Sequence, residues 1–132
     1  MFKIAKQFSF SASHRLSSFP PGHLCRNVHG HNYVVEIELS ATTLDERGVV
    51  VDYGQLDALK EFIDDNLDHQ DLNDAFDRLD WPQPTTSEHI ARCLFYWCRQ
   101  NWPETTAVRI SETPKTWAEY RPTRRSDVTE GQ

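Results

Sequence analysis

Cysteine, basic charge and long apolar runs are all in short supply in this chain, and each shortage excludes something. Its 132 residues hold three cysteines, Cys25, Cys93 and Cys98. Three cannot pair completely, so a disulfide framework is not the scaffold, and a reducing cytoplasm is the simpler setting. Lys and Arg total 14 against 20 Asp and Glu, giving a net charge of -6 and a pI near 5.4. Nucleic-acid binding therefore has no global electrostatic support, and an anionic ligand would need a local cluster of cations. Mean hydropathy is -0.66, and no apolar run approaches the roughly 20 residues of a membrane span. The opening "MFKIAKQFSFSASHRL" alternates apolar and polar residues. It lacks the continuous apolar core of an export signal and is expected to belong to the fold. There is no Gly-rich nucleotide fingerprint, no internal repeat and no low-complexity segment.

What is present is a clear change of period along one domain-sized chain. From Lys3 to His14, Ile4, Phe8, Phe10 and Ala12 share one parity and Ser9, Ser11 and Ser13 the other, the pattern of a strand with one face on a core. "SSFPPGH" is a loop. "HNYVVEIELSA" alternates again, with Tyr33, Val35, Ile37 and Leu39 on one side. From Gln55 to Leu67 the spacing of Leu56, Leu59, Phe62, Ile63 and Leu67 is helical. "LDHQDLND" reads as a helix end or loop, and "WPQP" as a break. A second helix follows over "TTSEHIARCLFYWCRQNW", with Ile90, Leu94, Phe95 and Cys98 inward and Thr85–Glu88 spaced as a capping box. "AVRISET" and "TWAEYR" are two short strands. The order ββααββ predicts an α+β fold, a four-stranded antiparallel sheet with two helices on one face, over residues 1–121. The tail 122–132 shows no apolar periodicity and is expected to be disordered. Such a sheet leaves two open edges, which must be blunted or paired, and pairing between subunits gives an oligomer.

Two of the six histidines sit in "CRNVHGHNY". His29 and His31, two apart on a strand, face the same way. His14 ends the preceding strand, and an antiparallel pairing brings that end beside the start of the next. Three imidazoles with one open position match a catalytic zinc geometry. Cys25, in the loop before them, has rival roles: a fourth ligand that closes the site, a reactive thiol beside an open metal, or an ordinary loop cysteine. Asp68 and His69 adjoin after the first helix, as either a carboxylate–imidazole dyad or a solvated helix end. Glu112 ends the third predicted strand, where a carboxylate can accept paired N–H donors from a heterocycle or simply face solvent.

Taken together, "FSASHRL", "CRNVHGHNY", "VVVDYGQL", "LDHQDLN", "PTTSEHIA" and "SETPKTWAEY" resemble the family of 6-pyruvoyl-tetrahydropterin and 6-carboxytetrahydropterin synthases, from about Phe8 to Tyr120. The resemblance implies a tunnelling fold (T-fold) that assembles into an oligomeric barrel, commonly a homohexamer built as a dimer of trimers. It implies zinc on His14, His29 and His31, a catalytic thiol at Cys25, a partner dyad of Asp68 and His69, and a pterin anchor at Glu112. Thr85 and Thr86 match a pterin-contacting stretch, in competition with the capping role. The C-x-x-x-H-G-H spacing is similar to the bacterial carboxy branch. That branch converts 7,8-dihydroneopterin triphosphate to 6-carboxytetrahydropterin, acetaldehyde and triphosphate on the queuosine route. No partner beyond this pterin triphosphate and further copies of the chain is implied: no nucleic acid and no membrane. His89 stands where the family often carries asparagine and, in a first helical turn, is expected to affect chemistry little. Lys6, Arg15, Arg26 and Lys115 are candidate cations for the triphosphate. Three readings compete with the carboxy one. They are a pyruvoyl-forming synthase, a zinc hydrolase that needs no cysteine, and a non-enzymatic module whose zinc is closed by one cysteine and three histidines.

Overall fold

A computed structural model describes residues 1–123. The expected disorder of the tail falls, from residue 124 onward, outside the described residues. Two long strands, β1 (Phe2–His14) and β2 (His29–Ala41), pair antiparallel along their whole length. Helix α1 (Asp57–Asn66) follows a 3-10 turn over Tyr53–Leu56. Asp52 caps that turn by accepting the Gly54 N–H. Then come β3 (Gln70–Asp71), α2 (Leu72–Leu79), α3 (Ser87–Asn101), β4 (Thr105–Thr113) and β5 (Thr116–Tyr120).

The alternation in β1 and β2 does what it predicts. Phe10 and Ala12, with Tyr33, Val35, Ile37 and Leu39, form the sheet side of one core. The helices supply Leu59, Ile63, Phe76, Ile90, Leu94, Phe95 and Cys98 to the same core. Each such aliphatic side chain contributes about 1.5–3 kcal/mol by leaving water. The opposite sheet face is polar: Ser11 bonds Asn32, and Arg109 bridges Glu36, Glu38 and Glu119. Glu38 is nearly closed off from solvent (1% exposed) and also meets Lys3 and Arg121.

Three expectations need correction. The sheet has five strands in the order β3-β1-β2-β4-β5, not four, and β3 lies parallel to β1, with Ala12 opposite Gln70. A two-residue strand has no period to read, and its pairing is decided by a distant segment. There are three helices, not two: "LDHQDLND" opens α2. Asp71 caps it by accepting the N–H groups of Asn73 and Asp74, and Leu72, Ala75 and Phe76 are buried at helical spacing. It stops at Asp80, in the left-handed region (φ 57°), where the Trp81 N–H returns to the Phe76 carbonyl. Finally, the cap of α3 is Thr86, not Thr85: its side chain accepts the His89 N–H. No helix among the described residues is long and apolar enough to cross a membrane.

Candidate active site

The β1–β2 register sets His14 directly opposite His29 and Ala12 opposite His31. All three imidazoles therefore converge on the core-facing side at one end of the sheet. Their ring centres lie 4.6, 5.3 and 4.9 Å apart. One ligand nitrogen from each falls within 4.8 Å of the others. Cys25 is not a member of this group.

Hydrogen bonds settle which nitrogen His14 and His29 offer. His14 Nδ1 lies 2.9 Å from the carbonyl oxygen of Thr85 and 3.2 Å from its hydroxyl. A carbonyl can only accept, so Nδ1 carries the proton and Nε2 presents a lone pair. That Nε2 is buried and has no partner, a costly state for a polar atom unless something binds there. His29 Nδ1 likewise lies 2.7 Å from the Asn27 carbonyl, leaving its Nε2 free. Burial lowers the pKa of His14; the Thr85 carbonyl opposes this, and His29 and His31 add to the lowering, so the net direction is down from 6.5. Metal binding requires a neutral imidazole. The donor set, the tautomers of His14 and His29 and the orphaned nitrogen of His14 fit a zinc ion.

The histidines floor an open cleft of about 570 Å³, with Cys25, Glu112 and Thr113 around it and Leu16 and Leu24 as apolar wall. Cys25 sits half-buried on a short 3-10 turn, Leu24–Arg26. Glu112, at the end of β4, puts a carboxylate oxygen 3.3 Å from His31 Nε2. Thr85 is buried behind His14 and Thr86 caps α3, so within one chain both serve the scaffold.

Asp68 and His69 lie elsewhere. Asp68 accepts the Ser11 N–H at 2.9 Å and holds His69 Nδ1 at 2.9 Å. The Ser11 amide, with His69 adding to it, draws the Asp68 pKa below its ordinary value against some desolvation. His69 has a left-handed backbone (φ 58°) and an imidazole 82% exposed. The hollow beside Asp68 is lined by Ser9, Phe10, Ser11 and Asn32, and the residues lining the histidine cleft are not among them. The chain thus brings together His14, His29, His31, Cys25 and Glu112 and sets the dyad apart from them.

Some contributors were invisible in the sequence because they act through backbone. The carbonyls of Thr85 and Asn27 are two. Asn73 contributes differently, through its side chain: its carboxamide accepts the Arg15 N–H and donates to the Arg15 carbonyl, both at 3.0 Å, pinning the chain just after His14. Its place in "LDHQDLN" was the only signal. Among the candidate cations, Lys6 is engaged by Asp57 and the Tyr53 carbonyl, and Arg26 by the carbonyls of Ser17 and Phe19.

The model of the family described as 6-pyruvoyl tetrahydropterin synthase matches residues 3–123. The chain is 30% identical over 144 residues to the 6-carboxy-5,6,7,8-tetrahydropterin synthase of Haemophilus influenzae, covering 92% of this chain and 99% of the relative. It is 31% identical over 129 residues to the enzyme of the same name from Bacillus subtilis, covering 92% and 86%. The 6-pyruvoyl tetrahydropterin synthase of Caenorhabditis elegans superposes with a TM-score of 0.79 at 28% identity, over 92% of this chain and 96% of the other. With a matching fold, a histidine triad and a family model that spans residues 3–123, the chain belongs to the 6-pyruvoyl tetrahydropterin synthase family.

Proposed function

We propose that the protein is a zinc-dependent 6-carboxy-5,6,7,8-tetrahydropterin synthase. With one water, it takes 7,8-dihydroneopterin triphosphate to 6-carboxytetrahydropterin, acetaldehyde and triphosphate, on the queuosine route in a reducing cytoplasm. The carrying observation is the buried, unpartnered Nε2 of His14, in a triad that shares one cleft with a thiol and a carboxylate. The two bacterial relatives carry the carboxy name.

His14, His29 and His31 would hold the zinc. When bound, zinc supplies Lewis acidity toward the hydroxyls of the substrate side chain. Glu112 accepts paired N–H donors of the pterin and fixes the ring. Cys25, as thiolate, takes a proton from the side-chain carbon next to the ring. His69 moves the second proton: Asp68 receives its Nδ1–H, which turns Nε2 outward. The oxidation and reduction are internal to the substrate, so no nicotinamide or flavin is called for. Arg15 and Lys115, whose side chains have no ion-pair partner among the described residues, are the better candidates for the triphosphate.

Neither Asp68 nor His69 lines the cleft of its own chain, so we assign the dyad to the cleft of a neighbouring copy. This supports an oligomer, and the two open edges, β3 and β5, are where sheets would join into the barrel of a hexamer. Thr85 and Thr86 remain assigned to the pterin-binding stretch through such an assembly.

The pyruvoyl reading is favoured by the matched family's description and the Caenorhabditis elegans structure. Incubation with 7,8-dihydroneopterin triphosphate separates the two. Acetaldehyde with triphosphate supports the carboxy reaction. Triphosphate without acetaldehyde supports the pyruvoyl one, and no turnover by the zinc-loaded protein overturns both.

A further inference from the structure

The segment between β1 and β2 closes on itself around Cys25. The Leu16 N–H donates to the Cys25 carbonyl at 2.7 Å, tying the thiol-bearing turn back to a point two residues beyond His14. The Cys25 N–H donates to His23 Nδ1 at 3.1 Å. His23 has an extended backbone and acts as the cap of the turn, the i to i+2 bond that Asn and Asp side chains make in turns. The His23 ring rests edge-on against Phe19, with centres 4.5 Å apart. Phe19 is held in turn by Arg26, whose Nη1 donates to the carbonyls of Ser17 at 2.8 Å and Phe19 at 2.9 Å. One guanidinium nitrogen has two N–H groups, and both are used here.

We propose that His23 and Arg26 are positioning residues that hold the Cys25 thiol at the rim of the histidine cleft. The chain of contacts runs from Arg26 to the Phe19 carbonyl, from the Phe19 ring to the His23 ring, and from His23 Nδ1 to the Cys25 amide. Without it, a turn bearing no buried residue has little else to fix its side chains. Arg26 is a neighbour of the thiol in sequence, and its Nη1 is engaged by the loop, so we assign it to holding the loop and not to the triphosphate. This proposal rests on the reading of Cys25 as the acting thiol.

The test compares His23→Ala, His23→Asn and Arg26→Ala in the zinc-loaded protein. The readouts are zinc content, kcat and KM with 7,8-dihydroneopterin triphosphate, and the rate of iodoacetamide modification of Cys25 across pH, followed on its own peptide by mass spectrometry. Both alanine variants should keep zinc and KM. Their kcat should fall on the order of 10- to 100-fold, the usual consequence of displacing a reacting group by about an ångström. Modification of Cys25 should become faster. His23→Asn should restore both values, because a carboxamide oxygen accepts the same N–H. Parent-like kcat and modification rates in the alanine variants would overturn the proposal. So would an asparagine variant as impaired as the alanine one, or a KM effect confined to Arg26→Ala, which would make that residue a substrate ligand. The modification rate needs no substrate, so it reports the hold on the thiol even if Cys25→Ala left turnover intact and the mechanism above failed.

Discussion

His14 aims Nδ1 at the backbone carbonyl of Thr85, 2.9 Å away, and so leaves its buried Nε2 without a partner inside the chain. Thr85 immediately precedes the cap of α3, so the helix start and the strand end are locked to each other through one imidazole. A ligating histidine whose other nitrogen is fixed in this way is the common arrangement at zinc sites.

The purified protein should carry one zinc per chain. The His14, His29 and His31 triple alanine variant should lose it while the sheet and helices persist, since only His14 of the three is fully buried. Elemental analysis beside circular dichroism decides this; full zinc retention in the triple variant would sink the assignment.

Cys25→Ala should keep both zinc and fold and lose turnover. Positioned acid–base groups typically supply about 10²–10⁴-fold in rate. The observation behind this is that Cys25 lines the cleft without belonging to the ligand group. Zinc loss in this variant would instead favour a site closed by one cysteine and three histidines.

Glu112→Gln keeps the shape of the side chain but removes its charge and replaces one acceptor with a donor. Charge-assisted hydrogen bonds are worth about 1.5–3 kcal/mol each, and a loss of that size weakens affinity by about tenfold or more. Substrate affinity should drop with zinc content unchanged. An unaltered Michaelis constant would count against the anchor.

The separation of the dyad from the cleft leads to a complementation experiment. Cys25→Ala and His69→Ala should each be inactive alone, and Asp68→Asn should impair the same step. Co-assembled Cys25→Ala and His69→Ala subunits should recover activity, because mixed clefts then pair an intact thiol with an intact imidazole. A mixture as inactive as its components would mean that the dyad does not act across subunits.

Glu38 gives an acid limit to stability. Burial pushes its carboxyl upward, but hydrogen bonds from Arg121, Thr106 and Lys3 outweigh it and hold the pKa at about 2, below the ordinary 4.5. A carboxylate with a depressed folded pKa stabilises the fold above its unfolded value and stops doing so as pH falls through the folded one. Glu38 should therefore make stability decline between about pH 4.5 and 2. Denaturant titrations should show a smaller decline across that window in Glu38→Gln. At neutral pH the same variant should lose about 1.5–3 kcal/mol, the worth of a hydrogen bond to a charged group. An unchanged acid profile would show that the ion pairs on this face are too screened to matter.

Much of this was legible in the residues. Alternation along β1 and β2 is strong because one face is packed and the other is polar, and the helical spacing of Ile90, Leu94, Phe95 and Cys98 is equally plain. The same-face geometry of His29 and His31 follows from the two-residue repeat of a strand alone. α2 was missed although Leu72, Ala75 and Phe76 carry its period. Eight residues opened by Asp71, Asn73 and Asp74 look like a turn until a core exists for the apolar side to meet. The cap of α3 shifted by one residue because both threonines offer a hydroxyl, and only packing against His14 takes Thr85 away from that role.

Period, spacing and residue type thus determined the α+β class, the two long strands and the shared face of His29 and His31, because these depend on local geometry repeated along the chain. Tertiary structure decided which nitrogen of His14 is free, the parallel seat of β3 beside β1, and the placement of Asp68 and His69 against the backbone of Ser11. Each of these turns on a backbone carbonyl or amide brought in from a distant segment. Such groups are the same in every residue and leave no trace in the order of side chains.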